Sequence, residues 1–305
     1  MAENRSIALV TCAGYADLHE EDRAVIAPLA RRGVTALPAV WDDPDVDWTS
    51  FDLSVIRSTW DYPNRRDEFL AWAASVPSLA NPADVLSWNT DKRYLNELAQ
   101  AGLPVVETTW FGPGDDADLS RFATGEVVIK PSVGAGSVGV GRYDLGDADQ
   151  RRLATAHVLR LQRGGSTAMV QPYLHAIDEE GETALLFFGG EFSHAIGKAA
   201  ILSGPYEAVD GLFVPTTITP RMPSDAQLGV AEAVLKAVPG GPDRLTYARV
   251  DVLSGPDETP VLLELELCEP NVFLSKGDGS AAERLADAIA AATTTAAQPS
   301  GDEGE

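Results

Sequence analysis

Basic residues are scarce in this chain: 23 Lys and Arg stand against 46 Asp and Glu in 305 residues, a formal charge of −23. Nucleic-acid binders cluster cations to neutralise phosphates. An acidic chain without a basic run offers no such surface, and none that favours anionic lipid, so neither nucleic acid nor membrane is expected as a partner. Cysteine is nearly absent. Cys12 and Cys268 cannot build a disulfide framework or a Cys-based zinc site, which suits a reducing compartment. The four histidines, His19, His157, His175 and His194, fit no metal spacing. Long apolar runs are missing as well. The stretch 7–12 is too short for a secretory signal and soon meets Asp17, Glu20, Glu21 and Asp22; no run approaches the roughly 18 apolar residues of a spanning helix. A soluble, cytoplasmic protein is expected. What is present, 45% hydrophobic and 23% charged residues, is ordinary globular composition, enough for roughly two domains of about 150 residues.

The first third alternates strand and helix. Residues 7–11 read as a buried strand, 22–32 as a helix closed by Gly33, 34–40 as a second strand and 53–57 as a third. That order predicts an α/β class with a parallel sheet in an N-terminal β/α domain. Ligands gather beyond the carboxyl ends of such strands, where 11–15 and the run Arg57-Ser58-Thr59-Trp60-Asp61-Tyr62 fall. A helix is predicted over 89–101, stopped by Gly102 and Pro104. Strands are predicted at 126–130 and 168–171, around a glycine loop at 132–141 and a helix at 147–163. Residues 183–188 and 191–200 read as a hairpin turning at Gly189-Gly190. A helix at 224–237, strands at 247–253 and 261–267, and a last helix at 281–291 follow. The tail 293–305, rich in Thr, Gly, Asp and Glu, is expected to be disordered.

Gly134-Ala-Gly-Ser-Val-Gly139 matches G-x-G-x-x-G. A dinucleotide fold needs a helix directly after the third glycine, whereas Val140-Gly141-Arg142-Tyr143 reads as a returning strand. The run therefore suits a strand–loop–strand hairpin whose backbone N–H groups reach phosphate oxygens. A dehydrogenase would instead bind NAD there. Arg249-Val-Asp251 and Glu264-Leu-Glu266 form a second pattern, in which residues two apart share a strand face. If these strands pair, one cation and three carboxylates meet. Hard oxygen ligands without His or Cys suit Mg²⁺ alongside substrate phosphates. A non-catalytic nucleotide-binding module would not need all three carboxylates.

With these motifs in this order, the sequence resembles the ATP-grasp superfamily of carboxylate–amine ligases. The matching residues are Asp91-Lys92, Val128-Ile-Lys130-Pro131 with the glycine loop, Gln171-Pro-Tyr-Leu174, Glu182, Arg249-x-Asp251 and Glu264-x-Glu266. The resemblance implies an ATP-grasp fold divided as an N-terminal β/α domain (1–88), a small subdomain with the glycine loop (89–172) and a C-terminal catalytic subdomain (173–292). It also implies ATP and two Mg²⁺ as cofactors. Lys92 and Lys130 would hold phosphates with Ser132, Gly134, Gly136 and Ser137 of the loop. Gln171, Tyr173 and Leu174 would read adenine, Asp178 the ribose, and Glu182 belongs to the same nucleotide set. Asp251, Glu264 and Glu266 would carry the metals, and Arg249 and Lys198 would steady the acyl-phosphate transition state. The family commonly has Asn where Glu266 stands, and Asn271 follows closely enough to supply that amide or to meet substrate.

The substrate implied is a small amino-acid-like molecule, with Arg57 fixing a carboxylate and Ser58, Thr59 and Asp61 offering polar contacts. The run 57–62, Trp-Asp-Asp-Pro at 41–44 and Glu-Leu-Glu-Leu-x-Glu-Pro at 264–270 resemble the ATP-grasp branch of D-cycloserine ligases, which close O-ureido-D-serine into D-cycloserine. An intermolecular amino-acid or dipeptide ligase is the other reading within the superfamily. Homodimers are common there.

Overall fold

The computed structural model describes residues 5–122, 124–207, 212 and 215–296. The chain opens with β1 (Arg5–Thr11), α1 (Glu20–Arg23), α2 (Ile26–Arg31), β2 (Val34–Val40) and β3 (Leu53–Ser58). β1 pairs in parallel with both β2 and β3. Ile7, Ala8, Leu9 and Val10 are fully buried, as expected of a parallel strand covered on both faces. Three helices follow: α3 (Arg66–Ser75), α4 (Ala83–Asn89) and α5 (Tyr94–Gln100).

The second sheet is antiparallel, in the order β4-β7-β5-β6. It holds β4 (Thr109–Phe111), β5 (Glu126–Pro131), β6 (Gly141–Asp144) and β7 (Ala168–Pro172), with α6 (Ala148–Arg163) between β6 and β7. Asp147 caps α6 by accepting from two backbone N–H groups. After α7 (Ala176–Glu180) comes the third sheet: β8 (Glu182–Phe188), β9 (Glu191–Lys198), β10 (Ile218–Arg221), β11 (Tyr247–Ser254) and β12 (Pro260–Glu266). Its order is β10-β9-β8-β11-β12. Gly189 and Gly190, both at positive φ, turn β8 into β9. α8 (Asp225–Lys236) begins with a capping box made by Ser224 and Gln227. α9 (Ala281–Ala296) closes the described chain. Among the described residues no helix is long and apolar enough to cross a membrane.

Three sequence expectations need correction. The helix expected at 22–32 is two short ones, α1 and α2. The helix expected at 89–101 is broken at 90–93, because that turn is tied to the glycine loop: the Lys92 backbone N–H donates to the Ser132 carbonyl at 2.8 Å. The last helix runs on to Ala296, so 293–296 are not disordered. Thr293 is buried and donates its hydroxyl to the Ile289 carbonyl at 2.8 Å, so its polar group is satisfied inside the helix. Residues 297–305 lie outside the described residues.

The N-terminal sheet is not a separate body. Ile7, Leu9 and Leu53 share one core with Leu285 and Ile289 of α9 and with Leu186 and Ile196 of the third sheet. Arg32 adds an ion pair to Asp287 at 2.7 Å. The edge of β12 is covered by side chains: Asn89 and Tyr94 both donate to the Leu265 carbonyl, and the Leu267 and Leu265 N–H groups donate back to them. A strand edge whose backbone is satisfied in this way holds its outward side chains in fixed positions.

Candidate active site

A cavity of about 530 Å³ is lined by residues of the second and third sheets, of the loops between them and of the segments that follow β1 and β3, within the range of roughly 300–1,000 Å³ usual for small-ligand clefts. The glycine hairpin forms one wall. β5 and β6 pair antiparallel on either side of it, so a strand follows the third glycine, as expected, and a dinucleotide-type helix does not. Gly136, Ser137 and Gly139 all have φ between 60° and 78°, a backbone in the left-handed region. At Gly141 a Cβ would stand 2.6 Å from the Tyr206 nitrogen and 2.8 Å from the Tyr143 hydroxyl, so no other residue fits there.

β11 and β12 form the facing wall. Arg249 stands opposite Glu266 and Asp251 opposite Glu264, so one cation and three carboxylates do share a face, while Val250, Val252 and Leu265 fill the core behind. The charges are interlocked. Arg249 Nε and Nη2 each lie 2.9 Å from an Asp251 oxygen, and Arg249 also pairs with Glu266. Lys198 Nζ lies 2.8 Å from Asp251 and pairs with Glu182. Lys92 Nζ lies 3.0 Å from Glu264 and donates to the Gly134 carbonyl at 2.7 Å. Burial would raise Asp251, but Arg249 and Lys198 hold it below the usual carboxylate range. Burial likewise opposes the charge on Lys198, and Asp251 and Glu182 outweigh it, raising that lysine. Burial pushes Glu182 up to about 7 and Glu266 up to about 8, against the pull of Lys198 and Arg249.

Lys130 differs from these groups. It is 9% exposed and lines the cavity, yet among the described residues its ammonium has no hydrogen bond or ion pair. Burial pulls its pKa down; Glu264 acts against that, and Lys92 adds to it.

Other expected site residues divide. Gly134, Gly136, Ser137, Gln171, Tyr173, Leu174, Glu182, Lys198 and Asn271 line the cavity with Lys92, Arg249, Glu264 and Glu266. Gln171 is fixed by donating to Thr108 Oγ1 at 2.9 Å. Asp251 is 1% exposed and stands behind Arg249 and Lys198. Ser132 is buried behind the hairpin, where its backbone pairs with Lys92 and Thr167. Asp178 turns outward to Tyr173 Oη and Arg142.

The substrate residues expected from the rim are corrected most. Arg57, Ser58 and Thr59 are essentially inaccessible, and none of 57, 58, 59 or 61 lines the cavity. Arg57 Nε pairs with Asp22 at 2.8 Å, its Nη2 donates to the Pro270 carbonyl at 2.7 Å, and its guanidinium lies 5.0 Å from the centre of the Tyr247 ring. Ser58 donates to Asp22, and Asp61 accepts from the Trp41 indole at 3.1 Å. From this run Trp60 and Tyr62 line the cavity instead, joined by His19, Asn89 and Glu269. Alternation beyond the strand end, which groups 60 with 62, was the available signal for the two aromatics. Nothing comparable marked His19.

The oxygen donors fit a hard divalent cation in kind: Glu264, Glu266 and Asn271 face the cavity. Among the described residues, however, no three Asp, Glu, His or Cys side chains are gathered as they stand into a metal-holding group, because each carboxylate of the sheet is taken by a cation.

Comparison with known proteins gives the same direction. Residues 7–84 match the family model described as the D-cycloserine synthetase DcsG N-terminal domain. The cycloserine biosynthesis protein DcsG of Streptomyces lavendulae is 38% identical over 300 residues, covering 93% of this chain and 97% of that protein. The crystal structure of D-cycloserine synthetase DcsG superposes with a TM-score of 0.84 at 36% identity, covering 94% and 99% of the two chains. At the level of fold alone, an ATP-grasp RimK domain protein from Sphaerobacter thermophilus has a TM-score of 0.65 at 20% identity, covering 93% and 98%. The D-alanine–D-alanine ligase of Bacillus anthracis, crystallised with ATP, has 0.63 at 14%, covering 95% and 98%. The chain has the ATP-grasp fold and belongs to the D-cycloserine synthetase DcsG family.

Proposed function

We propose that this chain is an ATP-dependent ligase that forms a carbon–nitrogen bond within one molecule, closing O-ureido-D-serine into D-cycloserine. The observation that carries the ligase reading is Lys130: a buried ammonium, unpaired among the described residues, under a glycine hairpin and facing a wall of carboxylates. Such a cation suits a phosphate. Kinship with the DcsG proteins supports the specific substrate.

Catalysis of phosphoryl transfer is largely positioning and charge neutralisation. Lys130, Lys92 and the hairpin N–H groups hold the triphosphate, with adenine against Gln171, Tyr173 and Leu174. A substrate carboxylate oxygen attacks the γ-phosphorus and ADP departs, leaving an acyl-phosphate beside Arg249 and Lys198. The oxygen-bound nitrogen of the ureido group then attacks the carbonyl and phosphate leaves. Atom balance requires the carbamoyl group left on the ring to be lost by hydrolysis as carbon dioxide and ammonia. Glu264, Glu266 and Asn271 would hold Mg²⁺, expected as two ions, which when bound would offset phosphate charge. Asp251 would be available to a metal only if Arg249 and Lys198 released it. Ring closure needs no second amino-acid pocket, since an intramolecular nucleophile has an effective concentration of up to roughly 10⁵–10⁸ M. The alternative is an intermolecular amino-acid ligase.

Purified protein with ATP and MgCl₂ is expected to release ADP, phosphate and ammonia on addition of O-ureido-D-serine, and to stop on chelation of the metal. Turnover with pairs of amino acids and none with the ureido compound would make it the intermolecular enzyme. A homodimer, which the superfamily resemblance suggests, and a cytoplasmic location, which the short apolar runs of the sequence suggest, are checked by light scattering and cell fractionation.

A further inference from the structure

Glu269 is the buried carboxylate of the cavity that the reaction above leaves unused. It is 8% exposed and lines the cavity where Trp60 and Tyr62 meet the loop after β12. The other deep carboxylates each have a cation: Glu264 has Lys92, Glu182 has Lys198, and Glu266 has Arg249. Among the described residues none lies within ion-pair distance of Glu269. The groups beside it are the neutral Tyr62 hydroxyl and Cys268 thiol. Lys92, whose field reaches it, is already held by Glu264 and the Gly134 carbonyl. A desolvated carboxylate without a counter-charge is costly, and a ligand cation removes that cost.

The backbone at this point is pinned from the N-terminal unit. Trp60 Nε1 donates to the Glu269 carbonyl at 3.1 Å and Arg57 to the next carbonyl, Pro270, at 2.7 Å. A side chain carried on backbone held in this way is preorganised for a ligand. Glu269 also follows Glu266 by three residues and feels the charge of Glu264, so it borders the phosphate end of the cavity. In an α-amino acid the ammonium is one carbon from the carboxylate to be activated, and the two groups must be held side by side.

We propose that Glu269 anchors the α-ammonium group of the amino-acid substrate; this deepens, and rests on, the ligase reading above. The site then selects for an α-amino group, because an analogue lacking it leaves Glu269 unpaired in the bound state.

The test pairs E269Q with the des-amino substrate, 3-(ureidooxy)propanoate. E269Q is expected to raise KM for O-ureido-D-serine roughly 10- to 100-fold, the scale of removing one charged hydrogen-bond partner, with KM for ATP kept and the melting midpoint equal to or above that of wild type, since an unpaired buried charge is removed. Wild type acting on the des-amino compound is expected to lose the same factor, and E269Q acting on it to lose nothing more. Losses that multiply, or a wild-type KM in E269Q, overturn the assignment. If wild type ignores O-ureido-D-serine, the cyclisation reading fails separately, and the anchor is read from the melting shift given by D-serine with a non-hydrolysable ATP analogue. A wild-type shift missing in E269Q supports the anchor; equal shifts, or none in either protein, overturn it.

Discussion

Replacing Lys130 by methionine is expected to move stability and activity in opposite directions. The ammonium is 9% exposed and unpaired among the described residues, and burial lowers its pKa from the ordinary lysine value. The unfolded chain therefore holds that proton more tightly than the folded one. The resulting penalty is fully present at pH 7 and fades only as pH rises through the folded value toward the unfolded one near 10.5. Methionine has similar length and no charge, so K130M is expected to stabilise the protein by about 1–3 kcal/mol, at roughly 2–4 °C of melting midpoint per kcal/mol. With ATP the sign reverses. Losing the charged partner of a phosphate costs about 2–4 kcal/mol, or roughly 30- to 1,000-fold in kcat/KM for ATP. Melting curves without nucleotide, together with ADP release over an ATP titration, read the two effects separately, and K130R is the charge-keeping control. A lower midpoint for K130M without nucleotide, or an ATP kcat/KM within about threefold of wild type, refutes the view that Lys130 is a stability cost kept for phosphate.

Asp251→Asn removes the shared anion of Arg249 and Lys198 and is expected to lower stability by about 3–5 kcal/mol, the scale for breaking a buried ion pair. Glu264→Gln, at a side chain 23% exposed, is expected to abolish ADP release with at most about 1–2 kcal/mol of stability lost; equal melting midpoints for the two variants would contradict the layered wall. Arg57→Met strands Asp22 and is expected to cost about 3–5 kcal/mol while KM for the amino-acid substrate stays within about fivefold; a raised KM at an unchanged midpoint would return Arg57 to substrate contact. His157, pushed down to about 4 by burial, binds its proton more weakly folded than unfolded. About 3 kcal/mol of stability is therefore expected to be lost as pH falls from 6.5 to 4, and urea midpoints of His157→Gln should lose that slope.

Much of the architecture was legible because backbone pattern and side-chain period agree. The parallel N-terminal strands read from continuous apolar runs, and the β11–β12 pair read from alternation, down to the facing of Arg249 with Glu266. Elements without a period of their own escaped: the edge strands β4 and β10 span three and four residues. The break between α4 and α5 escaped as well, since it depends on a backbone bond from Lys92 to Ser132, 40 positions away. At the site, the lysines and acids that the cavity brings together were readable because their chemistry is written in residue type. The place of Arg57 was not, for a physical reason. Arginine near a strand end suggests a carboxylate, and only tertiary structure shows Arg57 buried against Asp22.

The pairing of charges in the cavity also bears on how an acidic protein accepts an anion. Lys92, Lys198 and Arg249 are each neutralised by Glu264, Glu182, Asp251 or Glu266, so the unpaired buried charges of the cavity are Lys130 and, of opposite sign, Glu269 among the described residues. A triphosphate entering at Lys130 and drawing Lys92 away would expose Glu264, a carboxylate suited to a divalent cation. Nucleotide and metal would then enter as one exchange of partners, which costs less than gathering three bare carboxylates in advance. The consequence is a linkage: Mg²⁺ binding should be weak without nucleotide and strengthened in E264-intact protein by ATP, by the same factor that Mg²⁺ strengthens ATP. Calorimetric titration of Mn²⁺ as the probe, with and without ADP, measures that factor. A site filled equally tightly by the metal alone would show that the carboxylates are free in solution and that the interlocked pairs do not gate them.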